Sequence, residues 1–253
     1  MRVFQPVGIS TAAPAMLWMH GGGMVIGSPE QDDRTNSAFV RKLGITVAAV
    51  RYRLAPDNPA PAAVEDAYAA LLGLAAQAAE LHVDPTRIAV GGASAGGGVA
   101  AGLALLAHDR GEVNVAFQLL IYPMLDDRTT RRTDIGSRDV RVWTPKSNRF
   151  GWGAYLGAAL GGPAVSPYAA PARRDDLGGL PAAWIGVGTL DLFHDEDVEY
   201  ARRLNAAGVP CELYTVNGAF HAFDAVFPAA PVTGAFWREQ ARALAAAGIG
   251  GSR

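Results

Sequence analysis

Residues 87–100 read Arg87-Ile88-Ala89-Val90-Gly91-Gly92-Ala93-Ser94-Ala95-Gly96-Gly97-Gly98-Val99-Ala100. Arg87–Gly91 is a short apolar run of the kind that makes a buried strand, and Ala95–His108 is small, apolar and long enough for a helix. Between them, Gly92-Ala93-Ser94-Ala95-Gly96 fits the pattern G-x-S-x-G. A strand that turns straight into a helix brings the two backbones too close for side chains, which is why glycine is needed at both ends. The serine is left on a strained, exposed corner at the helix N-terminus, where the dipole favours developing negative charge. With eight serines and 30 glycines in the chain, chance yields this pattern roughly once in nine such chains. The strand–turn–helix setting therefore carries the information, and it is a unit of an α/β fold with a parallel sheet.

Outward from this corner the same alternation continues. Ala15–Met19, Ile45–Tyr52, Val115–Tyr122 and Ala183–Val187 read as buried strands, and Cys211–Val216 as a shorter alternating one. Pro61 suits the first turn of a helix running to about Leu81, and Asp84-Pro85 a turn into the strand before Ser94. Asp195–Ala207 has helical periodicity and stops at Gly208, and a last helix covers roughly Gly234 to Ala247. The expectation is a mostly parallel sheet flanked by helices in one domain, residues 1–253. Residues 126–163 break the alternation. They are charged at first and then aromatic (Trp143, Phe150, Trp152, Tyr155), contain no strand pattern, and read as an insertion that caps a site.

Composition narrows the function. The 253 residues carry 22 Lys+Arg against 24 Asp+Glu, a formal net charge of −2, and are 50% hydrophobic and 18% charged. That is ample for a core and gives no electrostatic footprint for nucleic acid or an anionic membrane. The lone Cys211 excludes an internal disulfide and a cysteine-based metal site. Only two lysines, Lys42 and Lys146, stand among the basic residues. The first residues lack the basic-then-apolar order of a secretory signal, and the most apolar later stretch, Ala67–Ala79, is too short to span a bilayer. A cytoplasmic location is the expectation.

His20-Gly21-Gly22-Gly23 is the sharper motif. Five histidines at this glycine frequency give it by chance in about one chain in a hundred. It follows one strand and precedes a helix, and its glycines let backbone N–H groups face a site unobstructed. A serine nucleophile then needs an acid and a histidine downstream, in that order. His20 precedes the serine, His82 and His108 lie near helix ends, and His194 begins a helix. His221, in a small-residue loop after the last strand, is the one placed to reach Ser94. For the acid, Asp191 follows the strand Ala183–Val187 across a short loop. Asp195, Glu196 and Asp197 fit a first helical turn, where acids complement the dipole, and Asp224 is too close to His221 in sequence.

Together, His20-Gly21-Gly22-Gly23, Tyr52-Arg53-Leu54-Ala55-Pro56-Asp57, Gly92-Ala93-Ser94-Ala95-Gly96-Gly97, Asp191-Leu192-Phe193-His194-Asp195-Glu196 and His221-Ala222-Phe223 occur in order. This set resembles the hormone-sensitive-lipase-like bacterial carboxylesterases of the α/β-hydrolase superfamily, over about residues 15 to 225. The resemblance implies an α/β-hydrolase fold and a serine carboxylesterase with Ser94 as nucleophile, His221 as base and Asp191 as acid. Gly22, Gly23 and the N–H of Ala95 would form the oxyanion hole, with Gly21 ranking behind them and His20 bracing the loop. Three departures stand out. Ala93 replaces the polar residue usual in the family's elbow, Met24 stands where relatives often carry an aromatic residue, and only nineteen residues precede His20. Relatives build part of their cap from leading helices, so a reduced cap is expected here, with Met24, Trp143 and Trp152 as substrate-binding walls.

The reaction so implied, hydrolysis of short-chain carboxylic esters through an acyl-enzyme, needs no metal and no organic cofactor. The partner is a small-molecule ester. A homodimer paired through the strand edge near Cys211–Val216 is suggested by the family and by the need to protect an open edge. Two other readings fit parts of the pattern. An arylformamidase-like hydrolase of activated amides would use the same triad, and a non-catalytic ligand-binding member, as in the gibberellin receptors that resemble this family, would lack the histidine that His221 supplies.

Overall fold

In the computed structural model, which describes residues 1–135 and 140–250, seven strands form one sheet in the order β1-β3-β2-β4-β5-β6-β7. They are β1 (Arg2–Phe4), β2 (Ala13–Met19), β3 (Thr46–Val50), β4 (Val83–Ala93), β5 (Phe117–Ile121), β6 (Ala183–Gly188) and β7 (Cys211–Val216). Only β1 is antiparallel to its neighbour, so the expected mostly parallel sheet is present with one short strand added at its edge. That strand was not foreseen, since three residues carry no periodicity. No helix of the described residues is long and apolar enough to cross a membrane.

The helices are α1 (Asp33–Leu43), α2 (Ala62–Ala76), α3 (Ala95–Arg110), α4 (Pro145–Leu156), α5 (His194–Ala206), α6 (Phe223–Val226) and α7 (Pro231–Ala246). Strand side chains alternate between two cores. Ala15, Leu17 and Met19 of β2 face α2, α3 and α5, whereas Met16 and Trp18 face α1 and α7. Fully buried leucines such as Leu17, Leu71, Leu103 and Leu120 each stabilise the fold by on the order of 1.5–3 kcal/mol. Both faces of the sheet are thereby locked, and the loops at its carboxyl ends hang from a rigid frame.

Two local expectations need correction. The Asp84-Pro85 turn lies inside β4: Asp84 does accept from the Thr86 N–H (3.0 Å) and hydroxyl (2.6 Å). The chain bulges there instead of reversing, so that the ladder to β2 jumps from Ala13–Val83 to Ala15–Ile88. The helix expected to reach Leu81 ends at Ala76; turns follow, and His82, at φ +49°, redirects the chain into β4.

Residues 126–163 contain α4 and short 3₁₀ turns and, among the described residues, no strand; residues 136–139 of this stretch lie outside the described residues. Its two ends are tied by the fully buried Asp127, which accepts from Arg173 and from the Gly161 N–H (2.7 Å). A buried ion pair with both partners satisfied sets register well, and losing one partner would leave a costly unpaired charge.

Candidate active site

Ser94 stands between β4 and α3 with φ +58° and ψ −121°, a conformation an L-residue adopts only when its surroundings impose it. They do so through the backbone. The Ser94 N–H donates to the Ile121 carbonyl at 2.8 Å, and its own carbonyl accepts from Gly98 (3.1 Å) and Met124 (3.0 Å). The glycine requirement is steric: a Cβ on Gly96 would overlap the carbonyl oxygens of Met19 and His20. The corner can therefore press against the end of β2, where the glycine loop begins.

His221 lies in the loop after β7, and Asp191 in the loop after β6. His221 Nε2 is 2.9 Å from Ser94 Oγ, and Nδ1 is 2.8 Å from Asp191 Oδ2 and 3.1 Å from Oδ1. A carboxylate only accepts, so Nδ1 carries the proton and donates; Nε2 is then the acceptor facing the serine hydroxyl. The Phe193 N–H donates to Asp191 Oδ1 at 2.9 Å and fixes the carboxylate's orientation. Access is narrow, Ser94 being 7% and His221 3% exposed. The imidazole is walled by Tyr122 (4.8 Å between ring centroids), Phe193 (5.2 Å) and Trp143 (6.4 Å). The three expected residues thus meet in one hydrogen-bonded chain. Asp195 does not join it: exposed, it pairs with Arg132 and His194.

The glycine loop packs beside the serine, Gly21 lying against the Ala93 carbonyl and the Ser94 Cβ. Among the described residues, the N–H groups of Gly22, Gly23 and Ala95 have no backbone or side-chain acceptor. His20 does not face the serine. It is buried, stacked on Tyr52 (centroids 4.2 Å apart), and its Nδ1 is 2.8 Å from the Gly21 carbonyl, to which it donates. Burial holds its pKa below the usual imidazole value, so it remains neutral. The Tyr52 hydroxyl donates to the His20 carbonyl at 2.7 Å, giving the Tyr52–Asp57 segment a physical role: it clamps the loop from behind.

The expected wall residues separate. Trp143 is half-buried and lies directly on Gly23, whose missing side chain leaves room for the indole. Its Nε1 donates to Asn148 at 3.2 Å, and Gly151 of α4 packs on the Gly23 carbonyl. Trp152, in contrast, is 0% exposed and packs on Tyr155 in the core, and Met24 is buried beneath the loop. Among the described contacts, neither is brought against Ser94 or His221.

The sequence also hides two roles. Glu196 and Asp197, which read as dipole-complementing acids in a first helical turn, are turned inward. Glu196 accepts from the Leu125 (2.7 Å) and Asp126 (3.1 Å) N–H groups and from the Thr129 hydroxyl. It thereby bolts the start of the 126–163 insertion to α5, and burial pushes its carboxyl up to about 8. Asp197 is buried with no hydrogen-bond partner for either oxygen among the described residues, and burial raises its pKa well above the usual carboxylate range. Cys211 is half-buried, its thiol pushed up to about 12 by burial, which makes it a poor nucleophile. Among the described residues no group of three or more His, Cys, Asp or Glu could hold a metal.

A family model described as the alpha/beta hydrolase fold matches residues 16–225. The chain is 36% identical over 239 residues to the carboxylesterase NlhH of Mycobacterium tuberculosis, covering 91% of this chain and 73% of that protein. It is 35% identical to an ethyl acetate hydrolase of Pseudomonas putida over 84% of this chain and 66% of that one. Among solved structures it superposes on a bacterial heroin esterase with a TM-score of 0.92 and 43% identity, over 97% of this chain and 78% of that one.

Proposed function

The chain belongs to the α/β-hydrolase fold family, in its hormone-sensitive-lipase-like branch of carboxylic ester hydrolases, and from that premise we propose that Ser94, His221 and Asp191 are its catalytic triad. The observation that carries this reading is the unbroken chain Ser94 Oγ, His221 Nε2 and Nδ1, Asp191 Oδ2, at 2.9 and 2.8 Å. His221 takes the serine proton as Oγ attacks the ester carbonyl. The oxyanion rests on the N–H groups of Gly22, Gly23 and Ala95, each such donor being worth about 10²–10³ in rate. His221 then protonates the departing alcohol, and water repeats the sequence on the acyl-enzyme.

The substrates are esters with short acyl groups, from acetate to butyrate. A relative named for ethyl acetate hydrolysis supports this, and so does the indole of Trp143, which fills the space over Gly23 beside His221. With the 126–163 insertion as cap, a longer chain leaves its outer methylenes in water, each forgoing about 0.8 kcal/mol. Measured kcat/KM on p-nitrophenyl esters of rising length should peak by butyrate, and a peak at octanoate or beyond overturns the assignment. Trp143→Ala should raise the octanoate-to-acetate ratio severalfold by opening that space. The reading also keeps a second copy paired along the outer edge of β7, the end strand of the sheet. Sedimentation of the intact protein as a dimer, lost in Thr215→Pro, whose exposed position turns its N–H to the free edge of β7, is the expected result.

A further inference from the structure

His221 uses both ring nitrogens, one on Ser94 and one on Asp191, but two hydrogen bonds define a line and leave the ring free to tilt about it. Its loop is tied down on either side, the Ala219 carbonyl accepting from the Leu190 N–H at 2.9 Å and the Gly218 N–H donating to Thr189 Oγ1 at 2.9 Å, but none of these bonds touches the ring. The tilt is set by the edge contacts of Tyr122, at 4.8 Å and 65°, and Phe193, at 5.2 Å and 87°, and of these Tyr122 also ties to the nucleophile. Tyr122 follows directly on β5, held at φ +34°, an uncommon conformation for a side chain of this size. Its neighbours hold the nucleophile: the Ile121 carbonyl accepts from the Ser94 N–H, and the Met124 N–H donates to the Ser94 carbonyl. Its hydroxyl donates to Asp224 Oδ1 at 2.7 Å, a residue 102 positions away. Asp224 lies in the first turn of α6, three residues past His221, because Ala222 at φ +57° turns the chain back on itself.

We propose that Tyr122 and Asp224 form a positioning pair that holds the base and the nucleophile in one frame. Residues 121–124 grip Ser94 through the backbone and grip the His221 loop through the phenol–carboxylate hydrogen bond. Asp224 is held there by the phenol and by the backbone N–H groups of its own helical turn, those of Asp224 and Ala225. Without the phenol, the His221 loop loses its tie to residues 121–124.

This inference rests on His221 acting as the base, and the test separates the two. Tyr122→Phe keeps the ring edge and removes only the hydroxyl. It should lower kcat about five- to tenfold, the scale of one hydrogen bond, with KM within about twofold. Asp224→Ala should do the same, and the double variant should be no slower than the worse single one, because both remove one interaction. Asp224→Asn, which keeps an oxygen for the phenol, should recover most of the loss. Wild-type kcat in Tyr122→Phe, a fall confined to KM, or multiplying effects in the double variant would overturn the pair while Ser94→Ala stayed inactive. Activity surviving in Ser94→Ala would instead overturn the triad itself.

Discussion

Ser94→Ala is expected to lower turnover on any ester by a factor on the order of 10⁶, the scale seen when a serine triad loses its nucleophile. No other hydroxyl or thiol lies within hydrogen-bond reach of His221 Nε2 among the described residues, so nothing can substitute as the attacking atom. Cys211 is on β7, with its thiol held protonated by burial. What survives is attack by water over the donors of Gly22, Gly23 and Ala95. The fold should barely respond. The strained backbone at position 94 is held by the Ile121, Gly98 and Met124 hydrogen bonds, none of which uses the hydroxyl, and alanine meets the same φ with no bulkier Cβ. Thermal unfolding should place the variant within about 1 kcal/mol of the parent. Purified variant assayed on p-nitrophenyl acetate decides the matter: more than a few per cent of parental turnover would remove Ser94 from the mechanism.

Why these residues could be read from the chain, and others could not, is a matter of range. Ser94 sits in a rule five residues long, strand then corner then helix, and the glycines that make the corner possible are its immediate neighbours. Gly22 and Gly23 share that locality with His20. Asp191 and His221 follow from position, each in the loop after a strand whose apolar run is visible. Tyr122, Asp224 and Glu196 have no such local mark. The hydroxyl of Tyr122 finds its acceptor 102 residues away, and Glu196 takes backbone donors 70 and 71 residues upstream. Only the folded sheet brings those segments together. Trp152 shows a second limit. Aromatic character in the 126–163 segment gave no sign of which face of α4 is inward, and the helix turns Trp152 and Tyr155 into the core while leaving Phe150 in solvent. The helix α1 illustrates a third. Its stop at Gly44 is clear, but its opening residues Asp33–Ser37 are polar, and the apolar stripe begins only at Phe39.

Asp191→Asn is expected to lower kcat by roughly 10⁴, the effect of the equivalent change in the serine proteases. The geometry here says why an isostere should fail. Asp191 accepts two donors: Phe193 N–H on Oδ1 at 2.9 Å, and His221 Nδ1–H, at 2.8 Å from Oδ2. An asparagine has one acceptor oxygen. If it serves the Phe193 N–H, the amide NH₂ faces His221 Nδ1, which must then give up its proton to become an acceptor. The proton moves to Nε2, and the imidazole presents a donor to Ser94 where it needs a lone pair. The opposite flip sets the NH₂ against the buried Phe193 N–H, two donors in contact with no acceptor between them, which costs on the order of 1–3 kcal/mol. Asp195→Asn touches none of this, since that carboxylate is exposed and faces Arg132 and His194, so its kcat should remain within about twofold. The imidazole nitrogen shifts of the two variants, read by NMR beside their kcat values, report the tautomer directly. A parental tautomer with parental turnover in Asp191→Asn, or a 10⁴-fold loss in Asp195→Asn, would mean that a different acid orients His221.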